Sequence, residues 1–235
     1  MSQMKIIVIM HVESEGPGSL GTYLESVRAE ALTVRLYAGD SLPSEFSGFD
    51  AVVSMGGPMN VYEEDQYPFL KEETGFLKGA VEADLPVLGI CLGAQMIAKS
   101  VGAQVVKSPK KEVGWGSVAL TDQGRDDSLF KGLPPVLEVL QWHGDMFHIP
   151  SEGLLLASSQ DCPHQAFRYR NALGLQFHLE VTEQILSDWF GESKEIKLYD
   201  VMNRFREIHK GLEENAQTVY ANFLDLIRTV SDRKT

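Results

Sequence analysis

Two rhythms of apolar positions alternate along the first hundred residues. Ile6-Ile7-Val8-Ile9-Met10 is an unbroken apolar run that reads as a buried strand, and residues 18–31 then space Leu20, Leu24, Val27 and Ala31 along one face of a helix. Short apolar or β-branched runs follow at 33–36 and 51–54, separated by the turn residues Pro43, Ser44 and Gly48. A helical pattern over 69–83 leads into Pro86-Val87-Leu88-Gly89-Ile90, a strand that stops at Cys91, and 95–100 reads as helix again. Strand and helix in alternation predict parallel strands with helical crossovers.

The middle of the chain changes character. Between 104 and 177 short alternating stretches recur at 116–120, 136–142, 154–158, 166–169 and 173–177, a strand-rich and partly antiparallel region. Beyond Thr182 the pattern turns helical, with a charged segment at 192–197 and an amphipathic run over 213–230 carrying Val219, Phe223, Leu226 and Ile227. No internal repeat and no Pro/Gly/Ser-rich linker marks a boundary between independent domains. The expectation is one α/β domain. Its central sheet is mostly parallel and flanked by helices, with a small antiparallel region; residues 1–190 form the body and 191–235 a helical extension packed on it.

A length of 235 residues suits one such domain with a full core, and 43% hydrophobic with 23% charged residues is the balance of an ordinary globular chain. The 33 acidic residues against 21 basic ones give a net charge of −12, which repels phosphate backbones and anionic headgroups, so neither nucleic acid nor a membrane is an expected partner. The first apolar run is too short for a span and lacks a signal-peptide cleavage pattern. Two cysteines, Cys91 and Cys162, build no disulfide framework, and a reducing cytoplasmic setting is expected.

Candidate chemistry begins at Gly89-Ile90-Cys91-Leu92-Gly93, where an apolar strand meets a helix with the spacing of a nucleophile elbow. A nucleophile in so sharp a turn needs neighbours without Cβ atoms, and the unpaired N–H groups of the helix start favour a thiolate. Alone, Cys91 reads equally as a small buried hydrophobe after a strand. A second feature is Gln176-Phe177-His178-Leu179-Glu180, which closes another apolar strand. Side chains at i and i+2 of a strand share a face, so His178 and Glu180 point together, and a carboxylate beside an imidazole fixes its tautomer. By itself such a pair also reads as a surface contact.

Together the two segments resemble the class I, triad-type glutamine amidotransferases, most of all the amidotransferase domain of GMP synthase and single-domain proteins built like it. Met55-Gly56-Gly57-Pro58 is similar to that family's oxyanion loop, and Trp142-His143-Gly144-Asp145 to its substrate-recognition loop. The resemblance implies a flavodoxin-like arrangement of the sheet, with Cys91 as nucleophile, His178 as general acid and base, and Glu180 as the orienting carboxylate. It implies an oxyanion hole from the backbone N–H groups of Gly57 and Leu92. It also implies substrate contacts from Gly56, Gln95, Trp142, His143 and Gly144, and a cycle using no cofactor and no metal.

Leu179 departs from the proline many relatives carry, and no Gly-rich ATP-binding loop follows residue 190, so the chain is not an entire GMP synthase. Three functions stay open on this reading. One is an amidotransferase that supplies ammonia from glutamine to a separate synthetase, and another is a hydrolase of γ-glutamyl compounds acting alone. The third is a silent binding domain that keeps the fold. An α/β-hydrolase esterase fits less well, because His178 precedes Glu180. Cys162-Pro163-His164 reads as a surface turn for want of a second Cys/His cluster at zinc spacing, and His11, His148 and His209 have no partner that the sequence argues for.

Overall fold

A computed structural model describes residues 3–234. The strands are β1 (Lys5–Met10), β2 (Glu30–Arg35), β3 (Ala51–Ser54), β4 (Val87–Ile90), β5 (Val105–Leu120), β6 (Val136–Phe147), β7 (Leu154–Ser158), β8 (Ala166–Tyr169) and β9 (Ala172–Leu175). The helices are α1 (Gly18–Ser26), α2 (Phe69–Glu82), α3 (Leu92–Ser100), the single turn α4 (Asp122–Asp126), α5 (Glu183–Phe190) and α6 (Leu198–Lys234).

All nine strands join one sheet in the order β2-β1-β3-β4-β9-β8-β7-β5-β6. The first five run parallel, and from β9 onward every pairing is antiparallel. β3, β4 and β9 are buried along their whole length, which is why their sequences are continuous apolar runs rather than alternations. Successive side chains leave the sheet on opposite faces. Ile6, Val8 and Met10 therefore join α1, α5 and α6 in one core, while Ile7 and Ile9 join α2 and α3 in a second. Val201, Leu212, Val219, Phe223 and Ile227 of α6 are all buried in the first core. Among the described residues no helix is long and apolar enough to cross a membrane.

Several boundaries differ from the sequence reading. The first helix stops at Ser26, Val27 is 41% exposed, and Arg28 turns the chain with φ 58°. Ala31 leaves the expected helix because the chain from Glu30 pairs in register with β1, and six residues of parallel ladder outweigh a marginal last turn of helix. The antiparallel region is four strands, larger than short alternating segments suggest, because β5 is a single 16-residue strand whose first half is polar and half exposed. The segment 142–145 is not a loop but the middle of β6, paired with the same ribbon (Val113 opposite Trp142, Glu112 opposite His143). β9 ends at Leu175 rather than at Phe177.

Candidate functional site

The carboxyl ends of the parallel strands converge on one cleft of about 500 Å3, as expected where ligands bind in open parallel sheets. Gly57 and Pro58 follow β3, Cys91 follows β4, His178 follows β9, and the strand segment Trp142 to Asp145 forms the far wall.

Cys91 sits between β4 and α3 with φ 50° and ψ −105°, a left-handed position that a side chain rarely adopts. The turn holds because both glycines remove a collision. A Cβ on Gly93 would overlap the Ser54 carbonyl, and one on Gly89 would come within 2.5 Å of the Gly93–Ala94 backbone. Backbone bonds fasten the bend: Cys91 N–H donates to Leu175 O (2.7 Å) and Gly93 N–H to Met55 O (3.1 Å). The thiol faces the Trp142 carbonyl (3.9 Å), and the Gln176 side-chain amide donates to the sulfur (3.6 Å). Leu92 opens α3, so its N–H is one of the helix's free first-turn donors beside the sulfur.

His178 and Glu180 lie past the end of β9, yet they share a side because a single antiparallel bridge ties His178 to Leu140 of β6. His178 Nδ1 stands 2.7 Å from Glu180 Oε1. The other Glu180 oxygen accepts the Leu179 N–H (3.0 Å), and its carbonyl accepts Ser19 N–H (2.9 Å), so the acid cannot swing away. Trp189 stacks edge-on against the imidazole at 4.8 Å. Burial of the ring opposes its charged form. The field of Glu180 and hydrogen bonds to Cys91 and Glu180 outweigh burial and hold the imidazole pKa well above its ordinary value. With Nδ1 on the carboxylate, Nε2 remains for the sulfur.

The expected substrate residues divide. Gln95 lines the cleft, with its amide N–H groups on the Asp145 carbonyl and on Gln176 Oε1, both 3.2 Å. Gly144 and the Trp142 backbone face the cleft, while the Trp142 ring packs on Phe190 at 4.4 Å. The His143 ring is engaged on both sides, by the Asp145 carbonyl and by Glu112, each 3.0 Å. Gly56 sits under the imidazole, where an added Cβ would come 3.2 Å from His178 Cε1.

Four contributors escaped the sequence reading. Gln176 touches the sulfur from within a motif noted only for its histidine and acid. Glu15 lines the cleft with its carboxylate beside Gly56 and His178. Burial pushes its pKa up to about 7, against the pull of His178 and His11 and with a further push from Glu180. His11, at the end of β1, has partners after all: Gly56 O at 2.9 Å and Glu73 at 2.7 Å. Cys162 is fully buried rather than in a surface turn, and its sulfur lies within 4.8 Å of ligand atoms of Glu112 and His143. Glu112 there already accepts from Ser159 and Gln165 as well as meeting His143, so its carboxylate is engaged in a hydrogen-bond network.

The chain as a whole has relatives among known proteins. A family model, "Glutamine amidotransferase class-I", matches residues 18–188. The chain is 34% identical over 199 residues to the glutamine amidotransferase-like protein YfeJ of Salmonella typhimurium, covering 82% of each. It is 33% identical over 167 residues to the GMP synthase of Thermosipho africanus, which takes in 69% of this chain and only 30% of that enzyme. A crystal structure of a glutamine amidotransferase from Thermotoga maritima superposes with a TM-score of 0.88 at 30% identity, over 95% of this chain and 99% of that one. This chain belongs to the class I glutamine amidotransferases.

Proposed function

We propose that the chain hydrolyses the side-chain amide of glutamine to glutamate and ammonia through a γ-glutamyl thioester on Cys91. The observation that carries this reading is a buried sulfur at a helix N-terminus facing an imidazole whose far nitrogen is fixed by a carboxylate 2.7 Å away. The Cys91 thiolate attacks the amide carbon, forming the C–S bond, while the C–O electron pair moves onto oxygen. Gly57 and Leu92 N–H groups receive that oxyanion. On collapse the C–N bond breaks and the charged His178 ring gives its proton to the departing ammonia.

A water then attacks the thioester, His178 takes its proton, and C–S cleavage returns the thiolate and leaves glutamate. Glu180 keeps the ring in one tautomer and stabilises its charged form throughout. Gln95, Gly144, Gly56 and the Trp142–His143 backbone are the proposed substrate contacts. Nucleophile, proton carrier and oxyanion donors all come from this chain, so the cycle calls on neither metal nor organic cofactor.

In this reading the ammonia is passed to a synthetase. The kinship with GMP synthases supports it, although the chain spans under a third of the one matched above. A second reading, a γ-glutamyl hydrolase acting alone, is favoured by the size of the cleft. The cleft of about 500 Å3, lined also by Glu15 and Asp188, has more room than a glutamine side chain fills. Steady-state turnover of glutamine and of γ-glutamyl peptides by the full chain tests both. Slow glutamine hydrolysis that a synthetase accelerates supports the first reading, fast peptide hydrolysis by the chain alone supports the second, and no turnover of either overturns the proposal.

A further inference from the structure

His11 and Glu73 come from β1's end and the middle of α2, 62 residues apart, and both side chains are fully buried. Nothing in the proposed chemistry uses them. His11 Nδ1 faces the Gly56 carbonyl at 2.9 Å, and Nε2 faces Glu73 Oε2 at 2.7 Å. The Gly56 carbonyl can only accept, so Nδ1 carries a proton and donates to it; facing an ionised Glu73, Nε2 donates as well and the ring is an imidazolium. Burial opposes that charge, but the Glu73 carboxylate, its hydrogen bond and the Gly56 carbonyl prevail and raise the pKa, with Glu15 adding to the pull. The second Glu73 oxygen accepts the Ser54 hydroxyl at 2.7 Å, which completes the carboxylate's set.

A buried ion pair is a poor device for stability alone, because desolvation offsets most of its attraction. What this pair does control is one peptide unit. The carbonyl it grips belongs to Gly56, and the N–H of that same unit belongs to Gly57. In a trans peptide the two point in opposite directions. His11 is fully buried beneath the loop, whereas Gly57 lines the cleft beside Cys91 and Leu92. Gripping the carbonyl from below therefore turns the N–H up into the cleft. Two adjacent glycines have no Cβ to resist a flip of that unit, and a flipped carbonyl would meet the oxyanion as a like charge.

We propose that His11, held by Glu73, is a positioning residue that locks the Gly56–Gly57 peptide with its N–H aimed at the developing oxyanion. The assignment rests on the hydrolytic reading above and adds to it a clamp outside the triad.

The test uses the full chain carrying His11→Phe. A second variant, His11→Phe with Glu73→Leu, strands no buried carboxylate and serves where the first does not fold. Loss of one oxyanion donor lowers kcat by about 100- to 1,000-fold, and KM for glutamine stays within roughly threefold of wild type. The aldehyde analogue of glutamine, which forms a thiohemiacetal on Cys91 and so generates the oxyanion, loses affinity in step with kcat. Alkylation of Cys91 by iodoacetamide involves no oxyanion and keeps its wild-type rate. A folded variant that retains wild-type kcat and aldehyde affinity overturns the assignment, as does one in which alkylation falls together with turnover. If the wild-type chain hydrolyses no glutamine or γ-glutamyl peptide, the functional reading fails by itself, and aldehyde affinity in variant against wild type then decides the role of His11.

Discussion

Two buried acid–imidazole pairs stand on either side of the Gly56 segment, alike in distance and opposite in the use proposed for them. His178 meets Glu180 at 2.7 Å through one nitrogen and keeps the other for Cys91. His11 meets Glu73 at the same 2.7 Å, but its remaining nitrogen is spent on the Gly56 carbonyl. A ring with one nitrogen open to the cleft can take up and release a proton, whereas a ring with acceptors on both sides can only hold one. Proximity of an acid to an imidazole thus does not by itself make a base. What the second nitrogen faces decides whether the pair is proton carrier or clamp.

The comparison breaks most visibly at the residue the carrier serves. Cys91→Ala is expected to lower turnover of glutamine or γ-glutamyl substrate by about a million-fold, to background, in a steady-state assay. Glu180→Gln leaves the ring in place but offers it the wrong tautomer, and kcat should fall by about ten-thousand-fold. His11→Phe falls between that and no effect, through kcat alone, as set out above. A reversed order, with the clamp mattering more than the orienting acid, would show that the two pairs have been assigned the wrong way round.

Two further changes probe what surrounds the pairs. Phe223 of α6 is 1% exposed in the core behind the Glu180 side of the sheet. Phe223→Ala should cost about 3–5 kcal/mol in urea unfolding, as one transition shared with the sheet. A separate early transition would mean that α6 does not unfold with the body. Glu15 lies between the two imidazoles and carries the smallest effect. Its pKa is raised from 4.5 to about 7, so the folded protein holds a proton that the unfolded chain releases across that window. Stability therefore falls as pH climbs from 4.5 to 7 and stays lowered above. Glu15→Gln should remove the fall, leaving stability equal at pH 4 and higher by about 1–2 kcal/mol at pH 8, a discounted figure because the side chain is part-exposed.

The proposed carrier could be picked out in the sequence and the proposed clamp could not, for a physical reason. His178 and Glu180 are two residues apart, and Cys91 announces itself through flanking glycines that the close approach of β3, β4 and α3 demands. His11 and Glu73 are joined only by packing. In sequence Glu73 is one more acid in a run that includes Glu72, and nothing local marks it as the one facing the core. The one available signal was that His11 directly follows an apolar strand, at the sheet end where ligands gather. The parallel strands were legible because burial on both faces leaves continuous apolar runs. The long β5–β6 ribbon was not, since half of β5 faces solvent and glycines interrupt its alternation, which also hid that Trp142 to Asp145 is strand.

Mass spectrometry of the full chain, quenched in acid during glutamine turnover, tests the central claim most directly. The expected result is one γ-glutamyl group on the peptide containing Cys91, absent from Cys91→Ala, which also releases no glutamate. Steady glutamate release with no adduct in the wild-type chain, undiminished in Cys91→Ala, would contradict it.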